Sequence, residues 1–156
     1  MIYVFDTGSL SKLKHYYPNV FKSVWSGLNA LVASGDLIST REVWNEMQLG
    51  VPHPHVQSWI NANKTMFQVP QGIELQVVGQ ILAIPHFQAL IGTKQQLNGT
   101  PVADPFVIAL AKTKSGTVVT EEELKPNAAK VPNVCQHFGV SCINLETFMQ
   151  QQGWSF

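Results

Sequence analysis

The chain has 156 residues, 45% of them apolar, which is enough for one domain with a sizeable core and too little for two ordinary ones. Ten acidic residues balance ten basic ones, so no global charge argues for a polyanion partner, although a local basic patch remains compatible with neutrality. Charged residues make up only 13%, about half the usual share, so where they fall is informative.

Ile2 to Phe5 is continuous and β-branched or aromatic, which predicts a fully buried strand near the middle of a sheet. Asp6 ends that run and Thr7-Gly8-Ser9 follows. Leu10 to Tyr17 and Val20 to Ser34 carry apolar residues at helical spacing, separated by Pro18, with Gly35 as a C-cap. Leu37 to Ser39 predicts a second strand, and Thr40 is placed to N-cap a helix running to Leu49, stopped by Gly50 and Pro52. Helices are then expected at Val56 to Asn63 and at Ile73 to Leu90, the latter bent by Pro85. Pro101 to Asp104 leads into a helix from Pro105 to Lys114, with Asp104 as N-cap and proline at the first position.

Thr117 to Thr120 predicts a buried strand and Glu121 to Pro132 a polar loop. Asn133 to Phe138 follows as a short helix ended by Gly139, then Val140 to Leu145 as a strand and Glu146 to Gln152 as a last helix. Gly153-Trp154-Ser155-Phe156 closes the chain with two large aromatic residues suited to docking on the body. This alternation predicts an α/β fold, a parallel sheet covered by helices on both faces, in a single domain over 1–156.

Cys135 and Cys142 have no second pair and fit neither a zinc knuckle nor a secreted disulfide framework. They read as buried thiols of a reducing compartment. No basic stretch precedes the first apolar residues, and no apolar run approaches the roughly 18 residues needed to span a bilayer. The expectation is a cytoplasmic protein without a membrane partner.

Seven acidic residues fall in four short places: Asp6, Glu42 with Glu46, Asp104, and Glu121 to Glu123. In a parallel sheet the C-terminal strand ends share one edge, so Asp6 and the Glu121 to Glu123 run are expected to open into the same crevice, with Asp104 facing it from a helix start. Glu46 sits beside the apolar stripe of Val43 and Met47, which lets it lean into that crevice. Glu42, one turn earlier, is the other candidate on this helix, though the helix dipole already accounts for it. Each acid alone is equally well explained as a cap or a solvated residue. Several carboxylates forced together repel unless cations neutralise them, and oxygen-only donors select hard ions such as Mg²⁺ or Mn²⁺. Two such ions about 4 Å apart suit phosphodiester hydrolysis.

These residues resemble a PIN domain, the fold of VapC-type toxin ribonucleases, over nearly the whole chain. The resemblance is carried by Tyr3-Val4-Phe5-Asp6-Thr7, by Ile38-Ser39-Thr40 entering a helix with Val43-Trp44-Asn45-Glu46-Met47, by Ala103-Asp104-Pro105-Phe106-Val107-Ile108-Ala109-Leu110-Ala111, and by Val118-Val119-Thr120-Glu121-Glu122. It implies a three-layer PIN-like fold with Asp6, Glu46, Asp104 and Glu122 as catalytic metal ligands for Mg²⁺ or Mn²⁺. It further implies RNA as substrate, water as nucleophile, a homodimer, and an antitoxin protein that blocks the site. Gly8 stands where such proteins commonly carry an amide, and the fourth acid lies in a run that leaves Glu121 and Glu122 as alternatives. The stretch from Gly50 to Thr100 is long for a minimal toxin, closer to a less characterised bacterial branch of the family.

Other readings compete. A catalytically inactive binding module would use the same acids as caps and surface. Phe5-Asp6-Thr7-Gly8-Ser9 also looks like an aspartic protease signature, which needs a second such motif and an all-β body. A haloacid dehalogenase-type phosphatase would need a second aspartate at position 8, which is glycine. His53 and His55 flank Pro54 as a possible metal pair, with surface histidines the plainer account. Lys12, Lys14, His15, Arg41 and Lys125 offer charge for phosphates, and Tyr16 and Tyr17 offer rings for bases.

Overall fold

The computed structural model describes residues 1–91 and 102–156. Five strands, β1 (Tyr3–Phe5), β2 (Leu37–Thr40), β3 (Phe67–Gln68), β4 (Thr117–Val119) and β5 (Ser141–Ile143), form one sheet in the order β3-β2-β1-β4-β5. Every neighbouring pair is parallel. β1 is central, as its unbroken apolar run predicts, with Val4 and Phe5 fully buried. The all-parallel sheet excludes the all-β body that an aspartic protease requires. β3 is an addition to the strands expected from sequence: at two residues it is too short to show a periodicity.

Helices flank this sheet: α1 (Thr7–Lys12), α2 (Lys22–Ser34), α3 (Arg41–Gly50), α4 (Pro54–Ala62), α5 (Gly72–Leu82), α6 (Asp104–Thr113), α7 (Val131–Phe138) and α8 (Leu145–Gln151). α6 packs on α5 and against β1, β2 and β4, and α2 packs on β2. Phe148 of α8 meets Tyr3 and Phe5 edge-on, each at 4.9 Å between ring centroids, tying the last helix to the central strand. Among the described residues no helix is long and apolar enough to cross a membrane.

Several boundaries differ from the sequence reading for identifiable reasons. α1 starts at Thr7 because Asp6 caps it, and the chain continues from Leu13 to His15 as a 3₁₀ turn. α2 begins at Lys22, leaving Val20 outside the helix and 70% exposed. The left-handed turn that ends α3 falls on Val51 rather than Gly50. Pro85 does not bend one long helix: α5 ends at Leu82, Ile84 is extended ahead of the proline, and Pro85–Leu90 forms a separate 3₁₀ segment. Asp104 is the first residue of α6 rather than its N-cap, which is Ala103. Pro101, expected to lead into that helix, lies outside the described residues. Val131, assigned from sequence to a polar loop, opens α7.

Candidate metal centre

β1 delivers Asp6 to the edge of the sheet, where it is 4% exposed. Its Oδ1 accepts the Ser9 amide at 2.8 Å, and its Oδ2 accepts the Thr120 hydroxyl from the end of β4. Burial pushes the Asp6 carboxyl above its usual range, against the lowering effect of these hydrogen bonds. The structural and functional readings of this residue therefore hold together: Asp6 caps α1 and also lines a cleft.

That cleft, of about 430 Å³, is lined by Asp6, Thr7, Gly8, Glu46, Asp104, Glu121 and Glu122. All four acids singled out from sequence open into it, together with the alternative Glu121. Glu42 does not; it pairs with Arg41 at 2.7 Å on its own helix.

Most of these carboxylates also hold the start of a helix. Glu46 Oε2 accepts the Ala103 amide at 3.1 Å, at the head of α6. Glu122 Oε2 accepts the Val131 amide at 2.8 Å, at the head of α7. Glu121 Oε1 accepts the Leu145 amide at 2.8 Å, at the head of α8, while its Oε2 meets Lys12 Nζ at 2.7 Å. Helix N-termini carry unsatisfied amides and a positive dipole end, so carboxylates are stable there.

Asp104 is the exception. It stands in the first turn of α6 but accepts no hydrogen bond among the described residues. Burial, followed by the charges of Glu122, Asp6 and Glu46, pushes its carboxyl up to about 8, against the opposing charge of Lys130. Thr7 adds a buried hydroxyl with no partner among the described residues.

The donor set fits a hard divalent cation. Among the described residues no three or more His, Cys, Asp or Glu side chains stand close enough together to hold a metal ion as they are. Mg²⁺ is usually held by one or two carboxylates with several waters retained, so an open cleft of acids suits it better than a closed cage would. The Thr7 hydroxyl, unpartnered among the described residues, and the mutually repelling acids would both gain a partner from such an ion or its waters.

Sequence reasoning missed three contributors: Thr7, Thr120 as the partner of Asp6, and Lys130 beside Asp104. The position of Thr120 at a strand end next to two acids was the available signal. His55 is not a loop residue but lies in the first turn of α4, edge-on to Trp25 at 5.7 Å, and reaches the Leu13 carbonyl oxygen at 3.3 Å; the His53 ring lies beside it, tilted by 58°. Both cysteines are free thiols. A hydrogen bond between them holds the Cys142 thiol below its ordinary value and that of buried Cys135 above it.

Comparison with known proteins bears on this geometry. A family model described as "Domain of unknown function (DUF4411)" matches residues 3–156. No curated protein matches the chain. Among solved structures, the crystal structure of VapBC2 from Rickettsia felis bound to a DNA fragment from their promoter aligns with a TM-score of 0.51. That alignment is 15% identical and covers 92% of this chain and 98% of the other. At such identity the likeness speaks for the fold, and the fold is the expected three-layer, PIN-like α/β arrangement.

Proposed function

For this chain, which belongs to the DUF4411 family of unknown function, we propose a metal-dependent endoribonuclease activity of PIN type, as the toxin of a toxin–antitoxin pair. The observation that carries the reading is Asp104, whose carboxyl is pushed up to about 8 in a cleft of acids that gives it no partner. Strongly perturbed groups gathered in a cleft mark functional sites.

In this reading Asp6, Glu46, Asp104 and Glu122 hold Mg²⁺ or Mn²⁺. When bound, such an ion supplies the positive charge that neutralises the acids and stabilises charge developing on a phosphodiester. The chain's own groups prepare the site. Thr120 and the Ser9 amide orient Asp6 from both of its oxygens. Glu46 and Glu122 line the cleft, and each has one carboxylate oxygen fixed by an amide, with no protein hydrogen bond to the other oxygen among the described residues. Asp104 retains a proton until pH rises past about 8 or a cation displaces it.

RNA cleavage with added Mn²⁺, comparing the native chain with Asp6→Asn and Asp104→Asn, tests the proposal. Cutting that survives both substitutions, or that ignores EDTA, would sink it.

One observation favours a second reading, that of an inactive binding module: Glu46, Glu121 and Glu122 all have structural employment as helix caps. Asp104 separates the two, because capping does not account for it. Restraint by an antitoxin protein and assembly as a homodimer follow from the toxin reading, and co-purification with a small protein encoded beside it is the corresponding test.

A further inference from the structure

We propose that a groove on the far side of Glu121 binds an unpaired nucleobase of the RNA strand, a proposal that rests on the nuclease reading of the adjoining cleft. The groove encloses about 380 Å³ and is lined by Lys12, Tyr16, Glu146, Gln150, Trp154 and Phe156 among others. Glu121 is the wall between the two spaces: it lines the carboxylate cleft, while its side chain bonds Lys12 and the Leu145 amide, both of which line the groove. A strand whose phosphodiester lies over the acids therefore has its neighbouring nucleotide beside Lys12 and the aromatic rings.

The lining suits a base better than an aliphatic ligand. Aromatic rings take bases by stacking whatever their identity, and sequence-reading RNA sites commonly capture splayed-out single-stranded bases in this way. Trp154 is held firmly in place. Its ring lies so close over Gly27 of α2 that no Cβ fits at that position, and it meets Phe148 edge-on at 5.6 Å. Trp25 and Trp59 donate their indole N–H to protein acceptors at 2.8 and 2.7 Å, whereas Trp154 makes no such bond among the described residues. Phe156 is 69% exposed yet anchored edge-on to Phe21 at 5.9 Å, and Tyr16 meets the same Phe21 at 5.5 Å. Glu146 and Gln150, one turn apart on α8, present polar groups to a base edge, and Lys12 offers charge to its phosphate.

The test is binding of a short single-stranded oligoadenylate, against an abasic strand of equal length, to the full chain carrying Asp104→Asn in EDTA. This background removes one of the four proposed ligands, and EDTA withholds the metal that cutting would need. Trp154→Ala is one variant; Phe156→Ala, at an exposed position, is the second in case the first unsettles the fold. Each is expected to weaken oligoadenylate binding by roughly 5- to 150-fold, the range for losing a stacking partner, and to leave the abasic strand unaffected. Equal losses on both strands, no loss on either, or no measurable affinity for oligoadenylate overturns the groove assignment. Base-dependent binding without Mn²⁺-dependent cutting by the native chain removes the nuclease reading and keeps the groove. Cutting without base dependence does the reverse.

Discussion

Thr120 and Asp6 are 114 residues apart in sequence, yet the Thr120 hydroxyl donates to the one Asp6 carboxylate oxygen that the Ser9 amide leaves free. Thr120 also accepts the Glu122 amide at 3.2 Å, so one hydroxyl sets both a buried acid and the backbone that carries another. Thr120→Val keeps the shape and removes the donor. It is expected to lower stability by about 1–3 kcal/mol, the cost of leaving a buried acceptor unsatisfied. Urea unfolding of the two proteins measures this directly.

Asp104 makes stability depend on pH in a definite direction. Its carboxyl rises from an ordinary value near 3.8 to about 8 on folding, so the native state binds this proton more tightly than the unfolded chain does. The associated stability is fully present below the unfolded value and is lost as pH rises through about 8. In EDTA the melting temperature is therefore expected to fall between pH 5 and pH 8.5, values chosen about the two ends of that interval. Asp104→Asn should flatten the fall and melt higher than the native chain at the alkaline end. A native profile that rises across this interval would contradict the assignment.

Cation binding must displace that same proton. Mn²⁺ is accordingly expected to raise the melting temperature, and to do so more at pH 8 than at pH 6; at a free concentration about 100 times its dissociation constant it should stabilise the native state by about 2.7 kcal/mol. Calorimetric melting over a Mn²⁺ series reads the effect. Asp6→Asn should reduce Mn²⁺ affinity by more than the roughly 10- to 100-fold that loss of an outer partner costs.

Glu122 separates charge from capping. Glu122→Ala removes the acceptor for the Val131 amide and should cost about 0.5–2 kcal/mol, as loss of other helix caps does. Glu122→Gln retains an oxygen for that amide and should melt close to the native chain, while losing Mn²⁺ response. Paired thermal melts with and without Mn²⁺ resolve the two roles.

Gly8 has room for a side chain. A Cβ there would stand 3.7 Å from Asp6 Oδ1, an ordinary contact, so Gly8→Asn is expected to change stability by no more than about 0.5 kcal/mol. Chemical unfolding checks the fit, and an unchanged or stronger Mn²⁺ shift is expected, since the added amide reaches the same cleft.

Much of the framework was legible because local chemistry and tertiary role agree. Tyr3 to Phe5, Leu37 to Thr40 and Thr117 to Val119 are short apolar runs that only a doubly covered strand explains, and Thr40 does cap α3 through the Val43 amide. β3 was missed because Phe67–Gln68 owes its conformation to pairing with Ser39 and Thr40 rather than to its own pattern. The Pro85 helix failed because a kink and a terminus have the same sequence signal. At the site, parallel strand ends brought Asp6 and Glu122 to one edge as expected. The cap that Asp6 gives the following helix was legible, being local, but those of Glu46 and Glu121 were not, since Glu46 meets Ala103 across 57 positions and Glu121 meets Leu145 across 24.

The sharing of carboxylates between cleft and helix starts has an evolutionary consequence. A lineage that abandoned the chemistry would still be selected to keep an acceptor at positions 46, 121 and 122, because the heads of α6, α7 and α8 depend on it. Position 104 has no such tether and is a burden to the metal-free fold, so it is where abandonment would show first. Within sequences of this family, an acid at 104 is the informative marker of a working site, and its replacement by a neutral residue while the other three persist is the expected mark of a descendant kept for binding alone.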